Sequence, residues 1–491
     1  MLVLASCGSN GSTSTRGGAL VGPTDPSVER RDAVRRNPGA KTVAATITAA
    51  PTAVNIGGRD VTTWAFGDRP GQGGIRAQVG DLVEATFVNQ LPSANTLHWH
   101  GIALRNDMDG VPDLTQDVVD PEGRFTYRFT VPDAGTYWFH PHMGLELDRG
   151  LYAPLIVEDP KDPVGFDVDV TLMLDDWLDG YGRTQNQVLS ELQSSGGHGG
   201  QMGDNGSGMG GMGGMGSSSG GMGSMMGALA GDVAYPLHVI NGLAPSERET
   251  IDAKPGQRVR LRLINAGSDT AYRVSVGGHR LTVTHTDGFP VEAVEVDNVE
   301  LGMGERYDVI VTAKSGAFPV VAVPVGKNDP AAETVLRTSS AAAAPKVGSR
   351  PSELDGQTLA YSDLVAVDAV RLSSKSPDRT ESIALTASGS GYVHGIDAKS
   401  FPDTAPVTVD EGERLRLRVV NDTMMFHPIH LHGHTFQLVG DGGARKDTVN
   451  VLPMSSVEFD IEADNPGQWM LHCHNTYHLE TGMATVFSYR A

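Results

Sequence analysis

Three things are scarce in this chain, and each scarcity excludes something. Cysteine is the first: only Cys7 and Cys473 occur. Once either is otherwise engaged no disulfide can form within the chain, so cysteine usage does not report a redox compartment. Positive charge is the second. Thirty-eight Lys and Arg stand against 59 Asp and Glu, a formal net charge of −21. That balance argues against nucleic acid or an anionic membrane surface as a partner. Long apolar runs are the third: past the N-terminus, no stretch approaches the roughly 18 residues of a membrane span. Helical periodicity is nearly missing as well, which leaves short alternating strands and Gly/Pro turns. At 491 residues the chain exceeds one ordinary core, and length alone suggests about three domains.

What is present is a repeat. Gly80 to Asn89 (GDLVEATFVN) recurs as Gly256 to Asn265 (GQRVRLRLIN) and as Gly412 to Asn421 (GERLRLRVVN). In each copy apolar residues alternate between the Gly and the Asn, the pattern of a half-buried strand leaving a turn. A second correspondence links only two copies: Gly135-Thr-Tyr-Trp-Phe-His-Pro-His142 parallels Gly467-Gln-Trp-Met-Leu-His-Cys-His474, with Pro141 where Cys473 stands. The repeat implies three consecutive β-sandwich domains, over residues 40–158, 160–340 and 350–491, with residues 338–350 as a linker.

The chemistry concentrates in four segments: His98-Trp-His100, His140-Pro-His142, His427-Pro-Ile-His430-Leu-His432 and His472-Cys-His474 followed by His478 and Met483. On a strand, residues at i and i+2 share a face, so His472 and His474 point one way and Cys473 the other. One segment thus serves an imidazole site and a thiolate site. A thiolate with two imidazoles and a thioether is the donor set of a blue-copper centre. Any one His-x-His pair alone is as readily structural; four together, one centred on cysteine, are a metal signature.

These residues resemble the four copper-binding motifs of the multicopper oxidases, in the family's order and over nearly the whole chain from about residue 40. The resemblance implies an all-β fold of three consecutive cupredoxin-like Greek-key β-sandwich domains and four copper ions. It makes His427, Cys473, His478 and Met483 the type 1 ligands and gives type 2 copper to His98 and His430. One type 3 copper falls to His100, His140 and His474, the other to His142, His432 and His472. Ten of the sixteen histidines are thereby assigned; His198, His238, His279, His285, His394 and His434 are expected to be structural or surface residues. The second copy, which lacks the motifs, is expected to be a spacer without metal. Reduction of dioxygen also needs protons. Asp109 matches the family's acid near type 2 copper, Glu480 being a further candidate; Cys473, His472, His474 and Asp109 form the expected catalytic set.

Two segments bear on substrate and location. Residues 196–227 combine sixteen Gly with Met202, Met209, Met212, Met215, Met222, Met225 and Met226. Thioethers favour Cu(I) over hard cations, so this stretch is expected to capture Cu(I). Asp422-Thr423-Met424-Met425 precedes His427 and is similar to the Asp-Met-Met of cuprous oxidases, which implies a substrate role for Met425 and Asp422. Leu4-Ala-Ser-Cys7 matches a bacterial lipoprotein cleavage site, and residues 1–39 read as a lipoprotein-type N-terminus and flexible tether. The expectation is an exported monomer, lipid-anchored through Cys7 on the outer face of the cytoplasmic membrane. Its function would be oxidation of Cu(I), and also of Fe(II) and phenolics, coupled to reduction of O2 to water in copper detoxification. The alternatives are a laccase for phenolic substrates and a copper-binding cupredoxin protein without turnover.

Overall fold

The structure is a computed structural model and describes residues 19–195, 231–388, 391–440 and 442–491. Cys7 and the methionines of 196–227 lie outside these residues.

The repeated decapeptide builds the same strand three times. Leu82–Asn89, Arg258–Asn265 and Arg414–Asn421 each leave a turn whose glycine has positive φ, 84° at Gly80, 84° at Gly256 and 83° at Gly412. That backbone region is open to glycine without steric cost. Each strand pairs in parallel with the first long strand of its unit, respectively Thr42–Ile56, Val168–Trp177 and Arg379–Ala387. On its other side it pairs antiparallel with Arg124–Thr130, Arg306–Thr312 or Ser456–Glu462.

The closing asparagine of each copy is buried because its amide ties down a loop. Asn89 Nδ2 donates to Ser93 O and Val119 O, and Asn265 Nδ2 to Thr270 O and Leu301 O. Asn421 Nδ2 donates to Met425 O (2.6 Å) and Val451 O (3.0 Å). Each Oδ1 accepts the backbone N–H two residues on, of Leu91, Gly267 and Thr423. In the third copy this device holds the approach to His427, whose register partner is Val451.

A second sheet faces the first in every unit, giving four plus four, six plus five and six plus five strands. The fold is therefore the expected all-β set of three sandwiches. The histidine strands lie in these second sheets: His98–His100 beside Gly135–His140 in the first unit, His427–Leu431 beside Gln468–Cys473 in the third. Buried residues of the first and third units form one apolar cluster that includes Trp99, Phe139, Trp469, Leu471 and Cys473. The middle unit keeps its own core around Val259, Leu261, Leu263 and Val309. The two ends of the chain thus meet, and Asn106 seals the seam: its Nδ2 donates to Gln468 O (2.5 Å) and its Oδ1 accepts from Gln468 N (3.0 Å).

One expectation needs correcting. Of the tether expected over residues 1–39, the described part is docked. Asp25 caps the helix Pro26–Arg35, with proline at its first position. Asp32 accepts from Thr130 N, and Arg31 pairs with Asp464 of the third unit. Ahead of the helix, Val21 N donates to Tyr489 O (2.9 Å) and Ala491 N to Ala19 O (2.7 Å).

Candidate metal centres

Strand alternation separates the two faces of the His-Cys-His segment. Cys473 lies opposite Ile429, and His472 opposite His430. The Cys473 Sγ is 3.6 Å from His427 Nδ1 and 3.6 Å from His478 Nδ1, and those two nitrogens are 3.1 Å apart. Three elements bring them together: the strand His427–Leu431, the end of Gln468–Cys473, and the one-turn helix Thr476–Glu480. Asn475 caps that helix, its Oδ1 accepting from Tyr477 N and His478 N, while its Nδ2 donates to Asp269 of the second unit. Met483 is buried in the same apolar cluster as Cys473; its carbonyl accepts Cys473 N (3.0 Å) and its N–H reaches His478 O (2.9 Å).

On the other face, ligand atoms converge in groups whose members all lie within 4.8 Å of one another: His100, His140 and His474; His142, His432 and His472; His98, His100 and His430. The first and third units contribute to each group. Their contributions match across the seam. His140 Nδ1 donates to Pro141 O (2.9 Å) as His472 Nδ1 does to Cys473 O (2.8 Å), and His98 Nδ1 to Asp109 O (2.9 Å) as His430 Nδ1 does to Asp447 O (2.9 Å). Each of these bonds consumes the Nδ1 proton and leaves Nε2 bare.

That chemistry fits a cation. The Nε2 atoms of His98, His140, His142 and His430 and both ring nitrogens of His474 are buried without a protein partner. His432 Nδ1 donates to Asp109 Oδ2 (2.9 Å) and His472 Nδ1 to a carbonyl, yet their Nε2 atoms face each other at 3.0 Å. Two bare lone pairs at that separation repel unless a positive ion stands between them. Burial pushes His100, His140, His142, His427, His432, His472 and His474 well below the ordinary imidazole range. Neutral imidazoles of this kind can coordinate a cation. Burial pushes the Cys473 thiol up, so its ionisation calls for a metal's charge.

Two aspartates hold the cluster from opposite sides. Asp109 is fully buried, with Oδ1 3.2 Å from His98 Nδ1 and Oδ2 accepting from His432. Asp447 takes the Arg306 guanidinium of the second unit on both oxygens, each at 2.6 Å. Burial alone would raise the Asp447 carboxyl; Arg306 outweighs it and holds the group well below the usual carboxylate range.

Several residues at these centres carry no motif. Asp232 Oδ2 lies 3.6 Å from His478 Nε2, and the His394 ring packs on that of His478 with centroids 4.0 Å apart. His394, expected to be structural or surface, is thus at the mononuclear group, its Nδ1 2.8 Å from Thr481 Oγ1. No spacing marks either residue in the sequence. Among the substrate candidates, Met425 is half-buried and Asp422 exposed. Met424 is 63% exposed on the loop whose Thr423 Oγ1 contacts His427 Nε2 at 2.7 Å. Glu480 is exposed at the end of its helix.

Comparison with known proteins agrees with this geometry. Three family models described as multicopper oxidase match residues 48–162, 169–341 and 372–491. The multicopper oxidase MmcO of Mycobacterium tuberculosis is 42% identical over 489 residues, covering 99% of this chain and 94% of that one. The copper resistance protein A homolog of Pseudomonas syringae pv. tomato is 29% identical, over 89% of this chain and 90% of its own. Among solved structures, Fet3p, described as a multicopper oxidase that functions in iron import, superposes with a TM-score of 0.76. It is 20% identical over 91% of this chain and 90% of that one, a likeness of fold. The chain belongs to the multicopper oxidases, oxidoreductases that take dioxygen as their acceptor.

Proposed function

We propose that the protein is a cuprous oxidase of copper detoxification, holding four copper ions. His427, Cys473, His478 and Met483 hold type 1 copper; His98 and His430 hold type 2. His100, His140 and His474 hold one type 3 ion, and His142, His432 and His472 the other. Bound copper supplies one-electron oxidation at the first group and four-electron reduction of O2 to water at the cluster. The chain's part is geometric and electrostatic. Cys473 is covalently continuous with His472 and His474, so a few backbone bonds join the two groups. Asp109, whose partners among the described residues are imidazoles, is the carboxylate that handles protons beside the cluster.

The observation that carries the substrate assignment is the Asp422–Met425 loop. Its Thr423 touches His427 directly, and the same loop carries Met424, exposed, and Met425, half-buried, within three residues of that imidazole in sequence. Soft sulfur there selects Cu(I) over hard cations. The name of the copper resistance relative supports the same reading, as do the seven methionines of 196–227, outside the described residues. The carboxylate of Asp232 beside His478 favours a cationic donor as well. We further propose export with lipid anchoring at Cys7, as a monomer; no helix among the described residues is long and apolar enough to cross a membrane.

Steady-state oxygen consumption tests the assignment, with Cu(I), Fe(II) and a phenol as donors, with and without added Cu(II). Cu(I) is expected to give the highest kcat/KM, and Met424→Leu with Met425→Leu to lower it while phenol turnover holds. Preference for the phenol in the wild type, insensitive to those substitutions, would make the protein a laccase instead.

A further inference from the structure

The second unit contributes no histidine or cysteine to any of the candidate metal groups among the described residues, yet it closes the cluster. Its loop 302–306 leaves the strand Val299–Leu301 and enters Arg306–Thr312. Gly304 sits there at φ 85°, its N–H donating to Asn265 O (2.9 Å). A Cβ at Gly304 would lie 2.9 Å from His100 Cε1 and 3.0 Å from His474 Cδ2. The backbone of the middle unit therefore lies directly against two imidazoles, one from each end unit.

Two residues on, Arg306 reaches the same imidazoles through a carboxylate. It is fully buried and bonded throughout: Nε to Thr136 O (3.0 Å), Nη1 to Gly304 O (3.1 Å), and the fork to both Asp447 oxygens. Asp447 Oδ1 lies 3.2 Å from His100 Nε2, and the Asp447 carbonyl accepts His430 Nδ1. Thr448 Oγ1 donates to Asp447 Oδ1 at 2.8 Å and lies 3.2 Å from His100 Nε2. His100 is thus anchored at Nε2, and its Nδ1 is buried without a hydrogen-bond partner. Around this clamp Asp287 accepts Arg306 N and pairs with Lys446, which also pairs with Glu305. The matching carboxylate of the first unit, Asp109, meets no guanidinium among the described residues.

We infer that Gly304 and Arg306 of the second unit are positioning residues for the copper cluster where type 2 ligand His430 meets type 3 ligands His100 and His474: Arg306 locks Asp447, whose carboxylate orients His100 and whose carbonyl holds His430, and Gly304 sets how closely the loop approaches His100 and His474. A planar, bidentate fork fits this task; an ammonium does not hold both carboxylate oxygens at once. Outer partners of metal-bound imidazoles typically carry about 10–100-fold in metal affinity. The inference rests on the proposed copper assignment.

The test uses the copper-loaded full chain and three variants, Arg306→Lys, Arg306→Gln and Gly304→Ala. Readouts are copper per chain, the electron paramagnetic resonance signal of type 2 copper, and the blue absorption of the type 1 centre. Arg306→Gln is expected to lose type 2 copper affinity by roughly 10–100-fold, with the blue absorption intact, and Arg306→Lys to restore part of it. Gly304→Ala, which crowds the type 3 ligands His100 and His474, is expected to lower copper per chain while thermal stability changes little more than for other loop glycines. Wild-type copper content and an unchanged type 2 signal in both Arg306→Gln and Gly304→Ala would overturn the inference and leave Arg306 a folding residue. Should Arg306→Gln fail to fold, Gly304→Ala and Arg306→Lys decide. A folded wild type without any type 2 signal would instead defeat the copper assignment itself.

Discussion

The strands Gly135–His140 and Gln468–Cys473 are two versions of one device. Both are led by a glycine at close approach to another segment: a Cβ at Gly135 would collide with Gly288 Cα, and one at Gly467 with Asn106 Cγ. Both carry a histidine whose Nδ1–H is given to the next carbonyl, and a second histidine two residues on. They part at the residue between. Pro141 has neither a thiol nor an N–H; Cys473 has both, and its N–H fastens the Met483 backbone while its sulfur meets His427 and His478. The chain beyond the second histidine differs too. After His142 it turns into a loop where Glu146 takes Ser93 and Asn95, whereas after His474 a capped helical turn delivers His478. One side of the seam therefore supplies imidazoles to the cluster groups alone, and the other adds a second candidate centre on the same backbone.

The largest expected effect is on that added centre. Cys473→Ser should abolish the blue absorption and oxidase turnover while the histidine cluster still binds copper, measured as copper per chain; retained blue colour would sever the link between sulfur and centre. Next comes the contrast between the two aspartates. Asp109→Asn replaces the carboxylate that accepts His432 Nδ1–H and lies 3.2 Å from His98 Nδ1 with a partial donor, and is expected to lower oxygen turnover about 10–100-fold; unchanged turnover would remove Asp109 from the reaction. Third are the loop-tying asparagines. Asn89→Ala strands two carbonyls and Asn421→Ala three, for about 1–3 kcal/mol each in urea unfolding, but Asn421→Ala alone should shift the blue band, because it frees the segment before His427.

The smallest effect concerns Glu146. Burial lifts its carboxyl to about 7, so the folded state binds its proton more tightly than the unfolded chain does. Its contribution to stability is whole below about pH 4.5 and fades as pH rises to about 7, by at most about 1.4 kcal/mol per pH unit. Glu146→Gln should flatten that window in denaturation measured across pH, and an unaltered profile would show the carboxyl to be solvated.

His394 and the second unit mark where local reasoning stops. His394 opens the three-residue strand His394–Ile396, too short to show a period, so nothing in the sequence sets it against His478. The second copy likewise lacks every histidine motif, and the expectation of a spacer came from that lack. It holds none of the metal groups among the described residues, but Gly304, Arg306 and Asp269 still meet the centres. Their partners His100, Asp447 and Asn475 stand more than a hundred residues away in sequence.

Strand periodicity is a local property, set by backbone geometry within a few residues. For that reason the sequence alone determined the three sandwiches, the glycine-to-asparagine strands and the opposite faces of His472 and Cys473. Which imidazoles share a group, which carboxylate receives a guanidinium, and which backbone closes over the cluster were decided only when three units packed. Burial then removed water as a competing partner, and each polar atom had to be met by whatever another unit placed within reach.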